Sequence, residues 1–208
     1  VVGNSQRVLV SDLSGQSNIK YKAAELGISV DGDLDFNKRI VSHIKTLEHA
    51  GYQFDGAEAS FELILREERN EFKPFFKTLD SKISVVFDNE KHNKIDAVLK
   101  IEVDGQIEHT AAEGDGPVNA LDNALRKALT RFYPAVQDIV LVDYKVRVLD
   151  ETGGTAAKVR VLISSTDGND MWTTVGVSEN IIEASWQALC DSVNYKLFKL
   201  HQVAPVVN

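Results

Sequence analysis

One short segment of this 208-residue sequence combines residue types that can bind a small anion: Gly114-Asp115-Gly116-Pro117-Val118-Asn119. Pro117 is typical of the first position of a helix, and a helix start exposes unpaired backbone N–H groups at the positive end of its dipole. Glycine lets a ligand approach the backbone closely, and Asp115 could accept an ammonium group. The segment therefore suits an α-amino acid, whose aliphatic side chain Val118 and Val177 could enclose. The alternative is that the glycines only make a tight turn from a strand into a helix.

Two other segments are weaker candidates for binding. Tyr144 is followed in the sequence by the glycine-rich run Gly153-Gly154-Thr155-Ala156-Ala157, which could equally be a flexible hairpin after a core-facing tyrosine. Ser14-Gly15-Gln16-Ser17-Asn18 offers several polar groups, but serine and asparagine before a helix are also ordinary N-cap residues. Neither segment by itself distinguishes a binding role from a purely structural one.

The sequence contains no recognisable catalytic motif. It has neither a nucleophile elbow nor a phosphate-binding glycine loop, and its histidines do not occur in pairs with zinc-site spacing: His43, His49, His92, His109 and His201. Cys190 falls within a helical pattern, and a lone cysteine there is typical of a small core residue. We therefore predict no catalytic residue, no metal site and no cofactor in this chain.

The composition excludes several classes of partner. With 43% apolar and 26% charged residues the chain is an ordinary globular sequence, and its net charge of −8 argues against nucleic-acid binding. No apolar run approaches the ~20 residues that cross a bilayer, and nothing at the start resembles a secretion signal. A single cysteine fits a reducing compartment, so we expect a cytoplasmic protein. The only methionine is Met171, so we expect the sequence to be a piece of a longer chain.

The first part of the chain is predicted to be helical. Apolar residues recur at helical spacing in three segments, near residues 17–26, near 35–50 and after Asp55, which could cap the third helix. A polar stretch over residues 66–71 leads to Pro74 and a junction. We therefore predict a small helical linker subdomain over residues 1–80.

After residue 80 the pattern becomes an alternation typical of strands, and it occurs twice. Strand, strand, strand and helix are predicted over residues 81–134 and again over 138–200, with a period of roughly 60 residues; Gly114 then corresponds to Gly176 and Asn119 to Asn180. The predicted fold is α+β, a tandem pseudo-twofold βββα domain over residues 81–202. Double-stranded-RNA binders also combine a three-stranded meander with helices, but the negative charge argues against that reading.

These segments resemble a known family. Thr110–Leu129, Val140–Gly154 and Val175–Leu197 are similar to the C-terminal regulatory domain of the 2-isopropylmalate synthase and citramalate synthase family, and look closest to the citramalate synthase branch. Arg7–Ile19 resembles the linker that follows the catalytic barrel of that family. The resemblance covers nearly the whole chain.

The resemblance implies a regulatory function. Family members condense acetyl-CoA with a 2-oxo acid, pyruvate in the citramalate branch, in a TIM barrel with a divalent metal, and that barrel would be the partner of this chain. The regulatory domain forms a homodimer and binds isoleucine or leucine as a feedback inhibitor. Carried over to this sequence, the effector-binding residues are Gly114, Gly116, Pro117, Val118, Asn119, Tyr144, Ala156, Ala157 and Val177. Asp115, which stands where many relatives have asparagine, completes the predicted site. The alternatives are a leucine-binding domain of the 2-isopropylmalate branch and a purely structural dimerisation module.

Overall fold

The computed structural model describes residues 16–28, 34–87, 94–149 and 157–203. Three helices come first: α1 (Gln16–Glu25), α2 (Leu34–Ala50) and α3 (Glu58–Glu68). They form where the sequence predicts them, since apolar side chains at helical spacing bury one face of each helix. Phe54, Phe61 and Leu65 are at most 1% exposed and hold these helices together in one apolar cluster. We call residues 16–75 the helical segment.

The first βββα unit follows. It consists of β1 (Lys77–Val86), β2 (Lys94–Val103), β3 (Gln106–Glu113) and α4 (Pro117–Leu129), and its strands form an antiparallel sheet in the order β1-β2-β3. Alternate residues of β2 are buried because they face α4, and Leu99 and Ile101 are fully so. Asp104 and Gly105 both have positive φ (48° and 76°) and make a two-residue hairpin turn.

The second unit repeats this order after a short 3-10 helix (Pro134–Asp138). It consists of β4 (Val140–Val148), β5 (Val159–Thr166), β6 (Met171–Ser178) and α5 (Ile181–Val203), with strand order β4-β5-β6. Both first strands carry an irregularity at the corresponding place, between Thr78 and Asp80 and between Leu141 and Asp143. The two predicted βββα units are thereby confirmed.

Two large apolar clusters, besides a small one of Leu63, Phe72 and Phe198, organise the described part of the chain. The larger one joins both sheets with α4 and α5, which also contact each other. The other joins the helical segment to the second unit alone, because Val175 and Val177 of β6 pack among its helices. The second unit is therefore in contact with the first unit on one side and with the helical segment on the other. Among the described helices none is long and apolar enough to cross a membrane.

Three local predictions were wrong. Asp55 does not cap α3: the helix starts after Ala57 without any side-chain cap, and Asp55 pairs with Lys22 at 3.4 Å. The alternation also predicts that the first strand starts at Lys82, but β1 begins at Lys77, because the strand continues past the bulge toward the buried Phe76. A serine before a helix likewise predicts that Ser178 caps α5, but the N–H of Ile182 in the first turn is bound by the side-chain oxygen of Asn180. The glycine-rich run Gly153–Ala157 and the candidate segment Ser14–Asn18 lie partly outside the described residues.

Candidate functional site

Gly114 is required by close packing between β3 and α4. A Cβ at this position would lie 2.3 Å from the backbone nitrogen of Ala120 and 2.7 Å from its Cα, far inside contact distance. Its own N–H donates to the carbonyl oxygen of Ile95 at 3.1 Å and continues the sheet. Gly176 has the same role in the second unit, where a Cβ would lie 2.0 Å from the carbonyl oxygen of Ala184. These two glycines are therefore structural, as the turn alternative proposes for Gly114.

Gly116 is different, since packing does not explain it. It is the N-cap residue of α4, its φ of −154° is ordinary extended backbone, and a Cβ placed there would have no atom within 4 Å. No side chain caps α4, and Pro117 occupies its first turn. The amide N–H groups of that turn are therefore available to bind a ligand in the open space beside Gly116. Such a helix start favours an anion, and a carboxylate is one such group.

The loop before α4 is held in place by two asparagines. The side-chain oxygen of Asn119 accepts a hydrogen bond from the N–H of Asp115 at 3.1 Å, so this side chain turns back toward the loop. Asn123 donates to the carbonyl oxygen of Glu113 at 2.9 Å and to Asn119 at 3.4 Å. Asp115 itself points to solvent. Asn123 was not among the predicted site residues, although its spacing of one helical turn from Asn119 is a usable signal.

The start of α5 is closed by its own side chains, in contrast to that of α4. The side-chain oxygen of Asn180 accepts from the N–H of Ile182 at 2.9 Å, and the hydroxyl of Ser178 accepts from the N–H of Asn180 at 3.0 Å. The same hydroxyl donates to the carboxylate of Glu183 at 2.7 Å, which places a negative charge in the first turn of α5. A second anion would be repelled there, so of these two helix starts it is that of α4 that remains open to an anion.

Tyr144 lies on β4, half-buried against the larger cluster that Val118 also contacts. Its hydroxyl is 2.8 Å from the Oγ of Ser185, and that Oγ donates to the carbonyl oxygen of Ile181 at 2.6 Å. Because the single proton of Ser185 is used there, Tyr144 is the donor. Its hydroxyl is thus fixed against α5.

The remaining predicted residues do not join this group within one chain. Val177 is 8% exposed and lies in the cluster shared with the helical segment, so it does not face α4. Ala157 is buried just before β5, and Ala156 lies outside the described residues. No cluster of three or more potential metal ligands occurs in the described part of the chain. The candidate site is therefore a backbone site at the start of α4. Val118 and Tyr144 both contact the larger cluster, but the Tyr144 hydroxyl is bound to α5.

Comparison with known proteins places the chain in a family. The family model of the LeuA allosteric (dimerisation) domain matches residues 55–197, which is more than half of the chain. The chain belongs to this family. The resemblance that the α4 and β4 segments predict is thus confirmed, and the LeuA domain contains both βββα units together with α3.

Individual relatives carry related names. The chain is 52% identical over 207 residues to an (R)-citramalate synthase of Geobacter sulfurreducens and 48% identical over 202 residues to one of Aquifex aeolicus, covering 98% and 96% of this chain. A 2-isopropylmalate synthase of Methanocaldococcus jannaschii is 28% identical over 202 residues, 96% of this chain. The chain spans 39%, 38% and 37% of the length of these three relatives.

Proposed function

We propose that this chain is the effector-binding and dimerising region of a citramalate synthase and that isoleucine is its effector. The observation that carries the proposal is the difference between the two helix starts: that of α5 is closed by Asn180 and Glu183, whereas that of α4 has no side-chain cap and open space beside Gly116. The amide groups of the α4 start hold the carboxylate of the amino acid, and the exposed Asp115 receives its ammonium group.

The catalytic activity belongs to the part of the parent protein outside this chain. Its relatives with 48–52% identity are named (R)-citramalate synthase, against 28% for the 2-isopropylmalate synthase. The name that the two more similar relatives share favours an acyltransferase that condenses acetyl-CoA with pyruvate over the leucine-pathway alternative. A divalent metal would be bound in that catalytic part. The regulatory region then transmits the end-product signal to it.

The second copy of the chain binds the uncovered face of β4. Directly paired residues of a sheet point to the same side, so Val146 and Val148 point to the side on which Val161 packs into the core. α5 packs on β5 and β6, and this leaves Val146 and Val148 41% and 52% exposed. We call these two residues the β4 valine face. An exposed apolar strip on an edge strand is typical of a strand that pairs or packs in an assembly.

The effector site is tested with Gly116→Asp. The new carboxylate would cap α4 as Asn180 caps α5, without steric conflict, and would occupy the place of the ligand carboxylate. Calorimetric titration with isoleucine, leucine and valine should show tight isoleucine binding to the unchanged chain and at least a ~10-fold weaker binding to the variant, equivalent to ~1.4 kcal/mol. The matched control is Asn180→Asp, which makes a similar substitution at the closed α5 start and should bind isoleucine normally.

Each result has a separate meaning. Undiminished isoleucine binding by Gly116→Asp would reject the α4 site. A preference for leucine would favour the 2-isopropylmalate synthase alternative, and a folded dimer that binds no amino acid would favour a structural module.

The dimer surface is tested with Val146→Lys, which should shift sedimentation toward the monomer. The control Ile107→Lys changes an exposed apolar residue (58%) on the other sheet and should leave the dimer intact.

A further inference from the structure

A row of polar side chains lies along α5 at four-residue spacing: Gln187, Asp191, Tyr195 and Lys199. Residues four apart lie on the same face of a helix, and here that face meets the helical segment. Each of the four side chains has a hydrogen-bond or ion-pair partner on α3 or on the loop before it. We call this row with its partners the α5 polar seam.

The first half of the seam binds the edge of the second sheet. The side-chain oxygen of Gln187 accepts from the hydroxyl of Tyr52 at 3.0 Å and from the N–H of Val177 at 3.0 Å. The hydroxyl of Ser60 donates to Asp191 at 2.7 Å and accepts from the N–H of Val175 at 3.0 Å. Since β6 is an edge strand, side chains here replace the neighbouring strand that would otherwise bind these two amides.

The second half of the seam is centred on Glu62 of α3, whose side chain is completely buried. The hydroxyl of Tyr195 donates to it at 3.3 Å and the ammonium group of Lys199 at 2.8 Å. Arg66, one turn further along α3, approaches the same carboxylate at 3.4 Å. A buried carboxylate needs these partners, because removing one would leave an uncompensated charge.

Polar contacts of this kind fix position more than they add stability. Apolar side chains of similar size often pack as well as a buried polar network, whereas hydrogen bonds and ion pairs are satisfied in only one register of the two helices. A displacement of α5 along its axis must therefore either carry α3 with it or break the seam. Packed helices of this kind change between discrete arrangements instead of deforming continuously.

We propose that the α5 polar seam is the connection through which the effector site acts on the helical segment, and through that segment on the catalytic part of the parent. This inference rests on the proposed function. The effector binds at the start of α4, and α4 contacts α5 directly. The seam carries a displacement of α5 to α3 and to Tyr52. Ser60, Tyr52 and Gln187 are thus coupling residues that touch neither effector nor substrate.

The experiment uses the complete parent enzyme with the double substitution Tyr52→Phe and Ser60→Ala. Both changes remove a hydroxyl from the helical-segment side of the seam and leave both βββα units unaltered. We expect uninhibited turnover and the isoleucine Kd to stay within ~2-fold of the unchanged enzyme, while the ratio of inhibited to uninhibited activity moves at least ~5-fold toward one, the lower end of ordinary allosteric coupling. Tyr52→Phe alone is the milder variant and should show part of the same loss.

The matched control is Ser164→Ala. It removes a hydroxyl that is 2.8 Å from that of Thr173 within the second sheet, away from the seam, and should keep full inhibition. Full inhibition of the Tyr52→Phe/Ser60→Ala enzyme would overturn the role of the seam while leaving the effector site in place. Failure of the unchanged enzyme to bind isoleucine or leucine would instead overturn the proposed function and this inference with it. A merely structural seam would lower stability and leave the inhibition ratio unchanged.

Discussion

Replacing Asp191 by asparagine should make the chain more stable, and increasingly so as the pH rises. Burial raises the pKa of Asp191 from its ordinary value of 3.8 to about 7, a repulsion from Glu67 adds to this, and the Ser60 hydroxyl partly opposes it. At a pH between these two pKa values, the carboxyl of Asp191 keeps its proton in the folded chain but has released it in the unfolded chain. Its free energy of unfolding therefore falls as the pH rises through this window.

The size of the effect follows from the pKa shift. One pKa unit corresponds to about 1.4 kcal/mol, so a carboxyl whose pKa moves from near 4 to near 7 costs the folded state about 4 kcal/mol above pH 7 and less than half of that at pH 5. Asparagine cannot ionise, and its side-chain oxygen can still accept the hydrogen bond that Ser60 donates at 2.7 Å. The stability gained by the variant should thus be larger at pH 8 than at pH 5 by about 2–3 kcal/mol.

Urea unfolding of both chains at pH 5, 6, 7 and 8 measures this difference directly. Asp35→Asn serves as the control, because it removes an exposed carboxylate from the first turn of α2 and should give a difference that does not change over this range. If the difference between Asp191→Asn and the unchanged chain were the same at pH 5 and pH 8, the buried carboxyl would not be the titrating group and the reasoning would fail.

Two further substitutions test how the units are packed. Gly176→Ala would place a methyl group 2.0 Å from the carbonyl oxygen of Ala184, so α5 must move away from β6; we expect a loss of about 1–3 kcal/mol or more in urea unfolding. Its control is Gly116→Ala, where the space is open and the loss should be under ~1 kcal/mol. Leu99→Ala empties a completely buried position in the middle of β2 and should cost about 2–5 kcal/mol; a loss within the range of surface substitutions would contradict the assignment of the larger cluster as the core.

The elements with strong periodicity could be predicted from the sequence. The alternation along β2 and the helical spacing in α4 each place one whole face against the core, so packing and local pattern agree there. The start of α3 and the caps could not be predicted as well, because Asp55 is used by a distant Lys22 instead of its own helix. A cap candidate in the sequence is only an acceptor, and tertiary contacts decide which donor it meets.

The candidate site, too, could be predicted from the sequence only in part. The helix start at Gly114–Asn119 could be recognised from glycine and proline chemistry, yet only the coordinates distinguish Gly114, which packing requires, from Gly116, which it does not. The partners of the α5 polar seam could not be recognised in the sequence. Tyr52 meets Gln187 and Ser60 meets Asp191 across more than a hundred residues of sequence, and a single sequence does not reveal pairs at that separation.

The helices of the two βββα units differ in length, with 13 residues in α4 and 23 in α5. When the units are superposed through Gly114 and Gly176, the end of α4 at Leu129 corresponds to a point near Asp191. The additional turns of α5 therefore contain Tyr195 and Lys199, the residues that hold Glu62 of α3. The shorter α4 has the open helix start, whereas the longer α5 has a closed start and extends toward the helical segment. Under the proposed function the first unit would receive the effector and the second would transmit its effect, and grafting the roughly three extra turns of α5 onto α4 would test whether these roles can be exchanged.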